Sequence, residues 1–303
     1  MIEWVVRETD PRCVGAIVAL AGGDARAIAD GRVFVGRRRA KDPAEDVRVG
    51  ERVVISREAE NVPPGVTILA RESDLIVAAK PAGMPTIADH GGSAHTLLSA
   101  VASLGGVELA QLHPTSRLDR DVSGAVVLAL SSAARRRLEA ARAAGKYHRR
   151  YVAIAGHAPE PQAGEWTSSI GRARDPRHRA IAGRDATDAL TRFATIARAG
   201  RAALLALAPV TGRTHQLRLH ASHAGAALLG DRIYGAGERQ TLPGGKVVAL
   251  KRVALHAARI TVPRADGTFL VVDAPVPLDL TDLWALLSGD PTAWRTAIEQ
   301  PLP

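Results

Sequence analysis

Cysteine is nearly absent from this 303-residue chain, which contains Cys13 alone. A single cysteine excludes a disulfide framework and a cysteine-rich zinc site within one chain. No uninterrupted apolar run is long enough to span a bilayer. The first residues, Met1 to Trp4, also lack the basic and then apolar pattern of a secretory signal. We therefore expect a soluble cytoplasmic protein without a membrane partner.

Lysine is scarce as well, although the chain is strongly basic. Lysine and arginine together number 40 against 31 acidic residues, which gives a net charge of +9 and a pI near 10.5. The five lysines are Lys41, Lys80, Lys146, Lys246 and Lys251. Such a charge is typical of proteins that bind a polyanion, either nucleic acid or a membrane surface. A high-GC genome, which enriches arginine and alanine together, would produce the same composition, so charge alone does not decide the function.

The length predicts about two domains at roughly 150 residues each. Residues 1–62 are interpreted as a small α+β module with short strands near 31–36 and 52–55, and Asn61–Gly65 as a linker. Residues 1–65 contain eleven basic and eleven acidic residues, so the whole positive excess lies in the remainder of the chain. We predict a second domain over 66–290 and a C-terminal tail over 291–303.

The second domain is predicted to be α+β with a mixed, largely antiparallel sheet. Strand-like and helix-like segments occur in it without the regular alternation of a parallel α/β fold. The predicted strands are 66–70, 75–79, 151–155, 203–207 and 270–272, and the predicted helices are 97–104 and 132–144.

The segment Arg117–Gly124 combines charged residues with the start of a buried strand at 125–130. Asp119 lies between two arginines at this boundary, where a strand can fix a side chain and neighbouring cations stabilise a carboxylate. It is therefore a candidate catalytic residue. Asp121 is the nearby second carboxylate. Because successive side chains alternate along an extended segment, we expect Asp121 to be structural, although a loop would remove that argument.

A second segment, Val210–His220, collects arginine, histidine and glutamine donors after an apolar strand, and such donors suit phosphates and base edges. It continues to Gly230-Asp231 and Tyr234-Gly235. Two further segments are Arg149-Arg150-Tyr151, at the start of a strand, and the turn Lys80–Pro85. His215, His220 and His223 raise the alternative of a metal site. No zinc motif and no acidic ligand lies between them, so structural or nucleic-acid-contacting roles are favoured.

These segments, in this order, resemble the ribosomal large-subunit type of pseudouridine synthase, which isomerises uridine in RNA. The family pattern is matched at 117–119 with 123–124, at Arg149 with Tyr151, at 212–220 and at 230–235. The turn at Lys80 and the segment 255–257 are also similar to the family, and the resemblance covers about residues 66–280. The chain departs from the pattern in having Ser116 where the family usually has histidine and Val122 where it has threonine. Residues 1–62 resemble the small RNA-binding module often fused ahead of these synthases.

The resemblance implies the pseudouridine synthase fold and an activity on structured ribosomal or transfer RNA that needs no cofactor and no metal. Asp119 would act on the sugar or the base, Arg218 would hold Asp119 by a salt bridge, and Tyr151 would stack on the target uracil. Leu217 would pack on the other side of the ring, and Arg117 would hold a phosphate or fill the gap left by a flipped base. The predicted catalytic residues are Asp119, Tyr151 and Arg218. The predicted substrate-binding residues are Arg117, Leu217, Arg213, His215, Gln216 and Lys80. We expect a monomer.

Two other functions are considered. One is an RNA-binding protein that keeps the synthase fold without activity; the other is a metal or glycoside hydrolase that uses the histidines or the pair Asp119 and Asp121. A basic stretch, 172–192, contains Arg174, Arg177, His178, Arg179 and Arg184. We predict that it forms a loop between two strands that faces RNA, with a solvated loop as the alternative.

Overall fold

The computed structural model describes most of the chain, which divides into two units. The described residues are 2–24, 26–29, 33–36, 38–55, 65–88, 95–175 and 178–303. The first unit contains Met1–Val66 and Pro85–Leu109, and the second contains Thr67–Met84 and Ala110–Pro303. Residues 85–109, predicted as part of the second domain, thus group with the N-terminal residues. Of the predicted linker, only Gly65 belongs to the described residues.

The first unit is a small α+β structure. Its elements are β1 (Ile2–Val5), α1 (Val14–Leu20), α2 (Arg26–Ala29), β2 (Val33–Val35), β3 (Arg38–Arg39), β4 (Arg52–Ile55) and α3 (Leu97–Gly105). The strands pair in the order β1-β4-β2-β3. Apolar side chains of α1 and the strands, including Ile17, Val33 and Val53, form a buried core. Thr96 caps α3 by accepting a hydrogen bond from the Ser99 amide, and Gly106 ends the helix in a left-handed conformation.

The second unit combines long strands with short helices. Its strands are β5 (Thr67–Arg71), β6 (Leu75–Lys80), β7 (His113–Pro114), β8 (Ser123–Ala129), β9 (His148–Ala155), β10 (Ala163–Arg172), β11 (Arg179–Ile181), β12 (Arg184–Ala199), β13 (Ala202–Pro209), β14 (Arg239–Thr241), β15 (Val247–Ala249), β16 (Leu255–Pro263) and β17 (Phe269–Asp273). Its helices are α4 (Ser132–Ala143), α5 (Gln216–His223), α6 (Leu278–Leu286) and α7 (Ala293–Glu299), and a single 3₁₀ turn covers Leu109–Gln111. In the described part of the chain no helix is long and apolar enough to cross a membrane.

One large sheet dominates this unit, with the strand order β11-β10-β12-β13-β9-β16-β8-β6-β5. Strand β17 pairs with β16, and β7 pairs with β8. Among the described residues, β8 and β16 form the sheet's parallel pair, and the other pairings are antiparallel. The prediction of an α+β fold with a mixed, largely antiparallel sheet is confirmed.

Two apolar clusters stabilise the sheet. One joins side chains of β9 and β13 to α6 and α7, where Trp284 and Trp294 meet edge to face with ring centroids 6.5 Å apart. The other joins β6 and β8 to α4 through residues such as Val127 and Leu138. The segment 291–303, predicted as a tail, therefore contains a helix whose Trp294 is buried in the first cluster.

The parallel pair of β8 and β16 explains two of the sequence motifs. Gly124 has a φ of 124°, and a Cβ at this position would lie 2.3 Å from the Ala257 carbonyl oxygen. Only glycine allows the two backbones to approach so closely. Beside it, the Ser123 hydroxyl lies 2.8 Å from His256 Nδ1, and His256 Nε2 lies 3.1 Å from the Ala274 carbonyl oxygen. These contacts fix the start of β8.

The prediction of a loop over 172–192 is wrong for much of its length. Arg179 lies in β11, and Arg184 begins β12, which continues through Arg192. Backbone pairing between β10 and β12 satisfies the peptide groups of this segment, from Arg172 opposite Arg184 to Glu165 opposite Arg192. Charged side chains are compatible with a strand whose first residues are exposed to solvent. Arg177 lies outside the described residues.

Candidate active site

Asp119 lies in a tight turn just before β8. The Val122 amide donates to the Asp119 carbonyl at 3.1 Å, and the Gly83 amide donates to the Arg120 carbonyl at 2.8 Å. Leu118 and Val122, on either side of the turn, are buried. The turn is therefore anchored by apolar burial and by backbone hydrogen bonds, while the Asp119 side chain keeps 25% of its surface exposed.

Lys80 lies beneath this turn, and its side-chain nitrogen is not available to bind substrate. Its side chain is buried, and Nζ donates to the carbonyl oxygens of Pro81, Met84 and Arg120 at 2.9, 2.7 and 3.0 Å. An ammonium group has three hydrogens, so these three bonds use all of them. Burial lowers the pKa of Lys80 to about 7 against the opposing charges of Asp119 and Asp121, so the three bonds describe the protonated form. The predicted contact of Lys80 with substrate is therefore corrected: Lys80 positions the residue that follows Asp119.

Arg218 joins the Asp119 turn to α5. Its Nη1 donates to Asp119 Oδ2 at 2.9 Å, so the expected salt bridge is present across 99 residues of sequence. On the other side, Nε and Nη2 donate to the two oxygens of Asp231 at 2.7 and 2.8 Å. Burial acts to lower the pKa of Arg218, but its bonds and charge interactions with Asp231 and Asp119 outweigh burial and raise the pKa. The guanidinium therefore stays charged and bridges two carboxylates.

The sequence predicts no role for Asp231, although this residue belongs to the Gly230-Asp231 motif. Its side chain is fully inaccessible, and Oδ1 also accepts the amides of Ile233 and Tyr234 at 3.0 and 3.1 Å. The carboxylate that shares the guanidinium with Asp119 is thus Asp231. Asp121, taken from the sequence as the nearby second carboxylate, is exposed and does not line the cleft described below.

His215 precedes α5 in a left-handed backbone conformation, with φ of 58°. Its Nδ1 lies 2.8 Å from the Tyr234 hydroxyl, and its Nε2 lies 3.8 Å from Asp119 Oδ2. Burial lowers the pKa of His215, and the charge of Asp119 opposes that effect. The Tyr234 ring also lies under Arg218, whose Cζ is 5.2 Å from the ring centroid. The sequence likewise predicts no role for Tyr234, although it belongs to the Tyr234-Gly235 motif.

The side chain of Gln216 is committed to the protein. Its amide nitrogen donates to Leu190 O and Thr191 Oγ1, and its oxygen accepts from Thr211 Oγ1 and the Arg213 amide, all between 2.7 and 3.0 Å. These bonds tie the start of α5 to β12. Gln216 therefore shapes the cleft, while its polar atoms are already occupied.

A cleft with a volume of about 110 Å³ opens beside Asp119. Eight of the nine residues predicted for the site line it: Asp119, Tyr151, Arg218, Arg117, Leu217, Arg213, His215 and Gln216. Lys80 is the exception. Among the described residues that line the cleft, Asp119 is the one carboxylate, whereas five are arginines. The cleft thus combines one anionic group with a cationic wall, which suits a polyanionic substrate.

Tyr151 forms a buried part of this wall. Only 6% of the residue is exposed, and burial raises the pKa of its hydroxyl, so Tyr151 stays protonated at neutral pH. Leu217, 6% exposed, and Leu255 also line the cleft, while Arg117 is exposed at its edge. An aromatic ring, apolar side chains and arginines thus surround Asp119, an arrangement that accommodates a flat heterocycle attached to a charged backbone.

His215, His220 and His223, considered from the sequence as possible metal ligands, do not form a metal site in the described part of the chain. His220 is buried, with Nδ1 3.0 Å from Thr191 Oγ1, and burial lowers its pKa to about 4. His223 is exposed. In the described ranges no group of three histidine, cysteine, aspartate or glutamate side chains is arranged to hold a metal ion.

Comparison with known sequences identifies the family. The family model described as RNA pseudouridylate synthase matches residues 74–223. A Bacillus subtilis protein called "uncharacterized RNA pseudouridine synthase YhcT" is 32% identical over 249 residues, which cover 78% of this chain and 79% of that protein. The chain belongs to the RNA pseudouridine synthase family. It is an isomerase whose substrate is RNA.

Further relatives of the enzyme agree. The "ribosomal large subunit pseudouridine synthase D" of Zymomonas mobilis is 31% identical over 248 residues, covering 78% of the enzyme and 77% of that protein. The solved structure titled "Human RNA Pseudouridylate Synthase Domain Containing 4" matches with a TM-score of 0.58 and 24% identity, over 73% of the enzyme and 92% of that chain. This structural match concerns the fold alone.

Proposed function

We propose that the enzyme converts uridine to pseudouridine in the cleft beside Asp119, with Asp119 as nucleophile and without a cofactor, in a structured ribosomal or transfer RNA. The observation that carries this proposal is the position of Asp119. Its carboxylate is partly exposed in a cleft of arginine, aromatic and apolar side chains, and Arg218 fixes it at 2.9 Å.

The chemistry of the conversion fits a single carboxylate. The bond between uracil N1 and ribose C1′ breaks, the base turns, and a bond between C5 and C1′ forms. C5 loses a proton and N1 gains one, so no atom is added and no electron is exchanged. Glycoside hydrolases instead usually require two carboxyl groups at the scissile bond. The presence of one carboxylate among the described lining residues supports an isomerase rather than a hydrolase.

Arg218 and Asp231 would keep Asp119 in place during this reaction. A guanidinium that donates two bonds to a buried carboxylate has its plane fixed, so its third bond, to Asp119, has a fixed direction. Such preorganisation matters because a nucleophile must be held close to the attacked atom. Asp121, two residues later, is exposed and does not line the cleft, so it serves as a matched control.

The other cleft residues would bind the target nucleotide. Tyr151 would stack on uracil as a neutral phenol, and Leu217 would pack against the other side of the ring. Arg117 and Arg213, both exposed at the cleft, would contact phosphates or fill the space left by the base. Extracting a base from a helix costs a few kcal/mol, and stacking on an aromatic ring contributes about 1–3 kcal/mol toward that cost.

The test is to map pseudouridine by chemical marking in cellular RNA with the gene present, deleted, and restored as wild type, Asp119→Asn or Asp121→Asn. We expect specific sites to disappear on deletion and to return with wild type and Asp121→Asn, but not with Asp119→Asn. Purified Asp119→Asn should still fold and bind RNA. Sites restored by Asp119→Asn, or free uracil released by the wild type, would contradict the proposal.

A further inference from the structure

Two arginines form the wall between the active-site cleft and a second, larger cavity. Arg142 and Arg149 line both spaces. The second cavity, here called the side groove, has a volume of about 770 Å³ and lies between the end of α4, the start of β9 and the end of β13. The cleft and the side groove also share Thr211, Gly212 and Arg213. The side groove is therefore adjacent to the cleft.

The wall arginines have donors that the protein does not use. Arg149 is 8% exposed, and its Nη2 donates to Pro209 O and Thr211 O at 3.1 and 2.7 Å. Arg142 Nη2 donates to Thr115 O at 2.5 Å, and its Cζ lies 4.7 Å from the Tyr147 ring centroid. The Nε atoms of both are buried and have no partner among the described residues.

The cationic lining continues beyond the side groove. A third cavity of about 240 Å³ shares His148, Arg149 and Arg192 with the side groove and adds Arg150 and Arg259. Arg150 Nη1 is also buried without a partner among the described residues. Among the described residues, six arginines line the side groove and the third cavity against two glutamates, Glu139 and Glu299. Two of these arginines are themselves paired, Arg192 with Glu165 and Arg259 with Asp273. The path from the cleft outward therefore carries a positive charge excess.

We infer that the side groove and the third cavity hold the phosphate backbone of the RNA strand that continues from the target uridine on one side. This inference rests on the proposed location of the reaction in the cleft. A polynucleotide is the occupant that fits, since it is attached to the reacting uridine and presents an anion at every residue. Six arginines line the path against one tyrosine, Tyr147, among the described residues, so most of these contacts would position the strand and would not read its sequence.

Strand β12 supplies a matched pair of arginines for the test. Arg192 lines the side groove, has 48% of its side chain exposed and pairs with Glu165 at 3.0 Å. Arg198 lies on the same strand, has 47% of its side chain exposed and pairs with Glu160 at 3.1 Å, but lines none of the three cavities. Substituting either by alanine removes one exposed charge from one ion pair, so the main difference between the two variants is whether the arginine lines the side groove.

The experiment measures binding of a fluorescein-labelled oligouridylate of about 15 nucleotides by fluorescence anisotropy at several salt concentrations. We expect Arg192→Ala to weaken binding about 3- to 10-fold and to reduce the slope of log affinity against log salt by about 0.7, the value for one phosphate on a single strand. Arg198→Ala should change affinity less than about 2-fold. The inference would be overturned by equal effects of the two substitutions, by no effect of Arg192→Ala, or by no binding of the oligouridylate to wild type. Pseudouridine mapping with the wild-type gene tests the activity separately, so the two failures are distinguishable.

Discussion

Replacing Asp231 by asparagine should damage both stability and activity, although Asp231 does not line the cleft. The side chain is inaccessible and accepts four hydrogen bonds, two from Arg218 and two from the amides of Ile233 and Tyr234. An asparagine that keeps the Oδ1 contacts places its NH₂ group against Arg218 Nε–H, so two donors face each other. The buried guanidinium is then compensated by Asp119 alone.

The magnitude follows from breaking a buried ion pair on one side, which costs about 3–5 kcal/mol of unfolding free energy. Activity should fall by roughly 100-fold, because a displacement of about 1 Å in the group that holds a nucleophile has an effect of that size. Asp119→Asn should behave differently. Arg218 keeps both bonds to Asp231 in that variant, and Asp119 is partly exposed, so we expect a stability loss of about 1 kcal/mol or less.

Urea denaturation followed by circular dichroism gives the unfolding free energies of wild type, Asp231→Asn, Asp119→Asn and the control Asp121→Asn. If Asp231→Asn unfolds at the wild-type urea concentration, or if it is no less stable than Asp119→Asn, then Asp231 does not hold Arg218 in the way described. A stable Asp231→Asn variant with full activity would also refute the role of Asp231 in orienting Asp119.

The remaining predictions concern other buried polar groups. Lys80→Met leaves three carbonyl oxygens, including that of Arg120, without their donor, so we expect the unfolding free energy to fall by about 3 kcal/mol and kcat to decrease. Lys146→Met, at an exposed lysine, is the control. If the two variants behaved alike, the positioning role of Lys80 would be contradicted. Burial lowers the pKa of both His220 and His256 to about 4, so the unfolded chain takes up protons at higher pH than the folded protein does. Stability is then fully present above about pH 6.5 and falls as the pH drops toward 4, by about 3 kcal/mol for each histidine; thermal unfolding unchanged between pH 7 and about 4.5 would count against this.

Local patterns in the sequence predicted much of the second unit. The apolar run before Lys80 and the helical periodicity at 132–144 correspond to β6 and α4 within a few residues. The same reasoning failed for Arg184–Arg192, because charged residues in an exposed strand carry no apolar alternation. The strand there depends on its pairing with β10, which a local pattern does not contain.

The contacts within the candidate active site were harder to predict from local sequence patterns. The contact between Asp119 and Arg218 joins positions 99 residues apart, and only the resemblance to a family suggested it. The role of Asp231 was not predicted, because it depends on a guanidinium shared with Asp119 and on a turn that directs the amides of Ile233 and Tyr234 toward one carboxylate oxygen. The prediction that Lys80 binds substrate came from the resemblance of its turn to the family, whereas the fold places three carbonyl oxygens around its ammonium.

The most direct test of the central claim is the release of the uridine C5 hydrogen from RNA, since this hydrogen must leave when the new carbon–carbon bond forms. Purified enzyme would be incubated with a C5-tritiated transcript containing a mapped site, and released tritium measured over time. Wild type and Asp121→Asn should release it at similar rates, whereas Asp119→Asn should be slower by at least about 10⁴-fold with its fold intact. Release by Asp119→Asn at the wild-type rate would contradict the assignment of Asp119 as the reacting group.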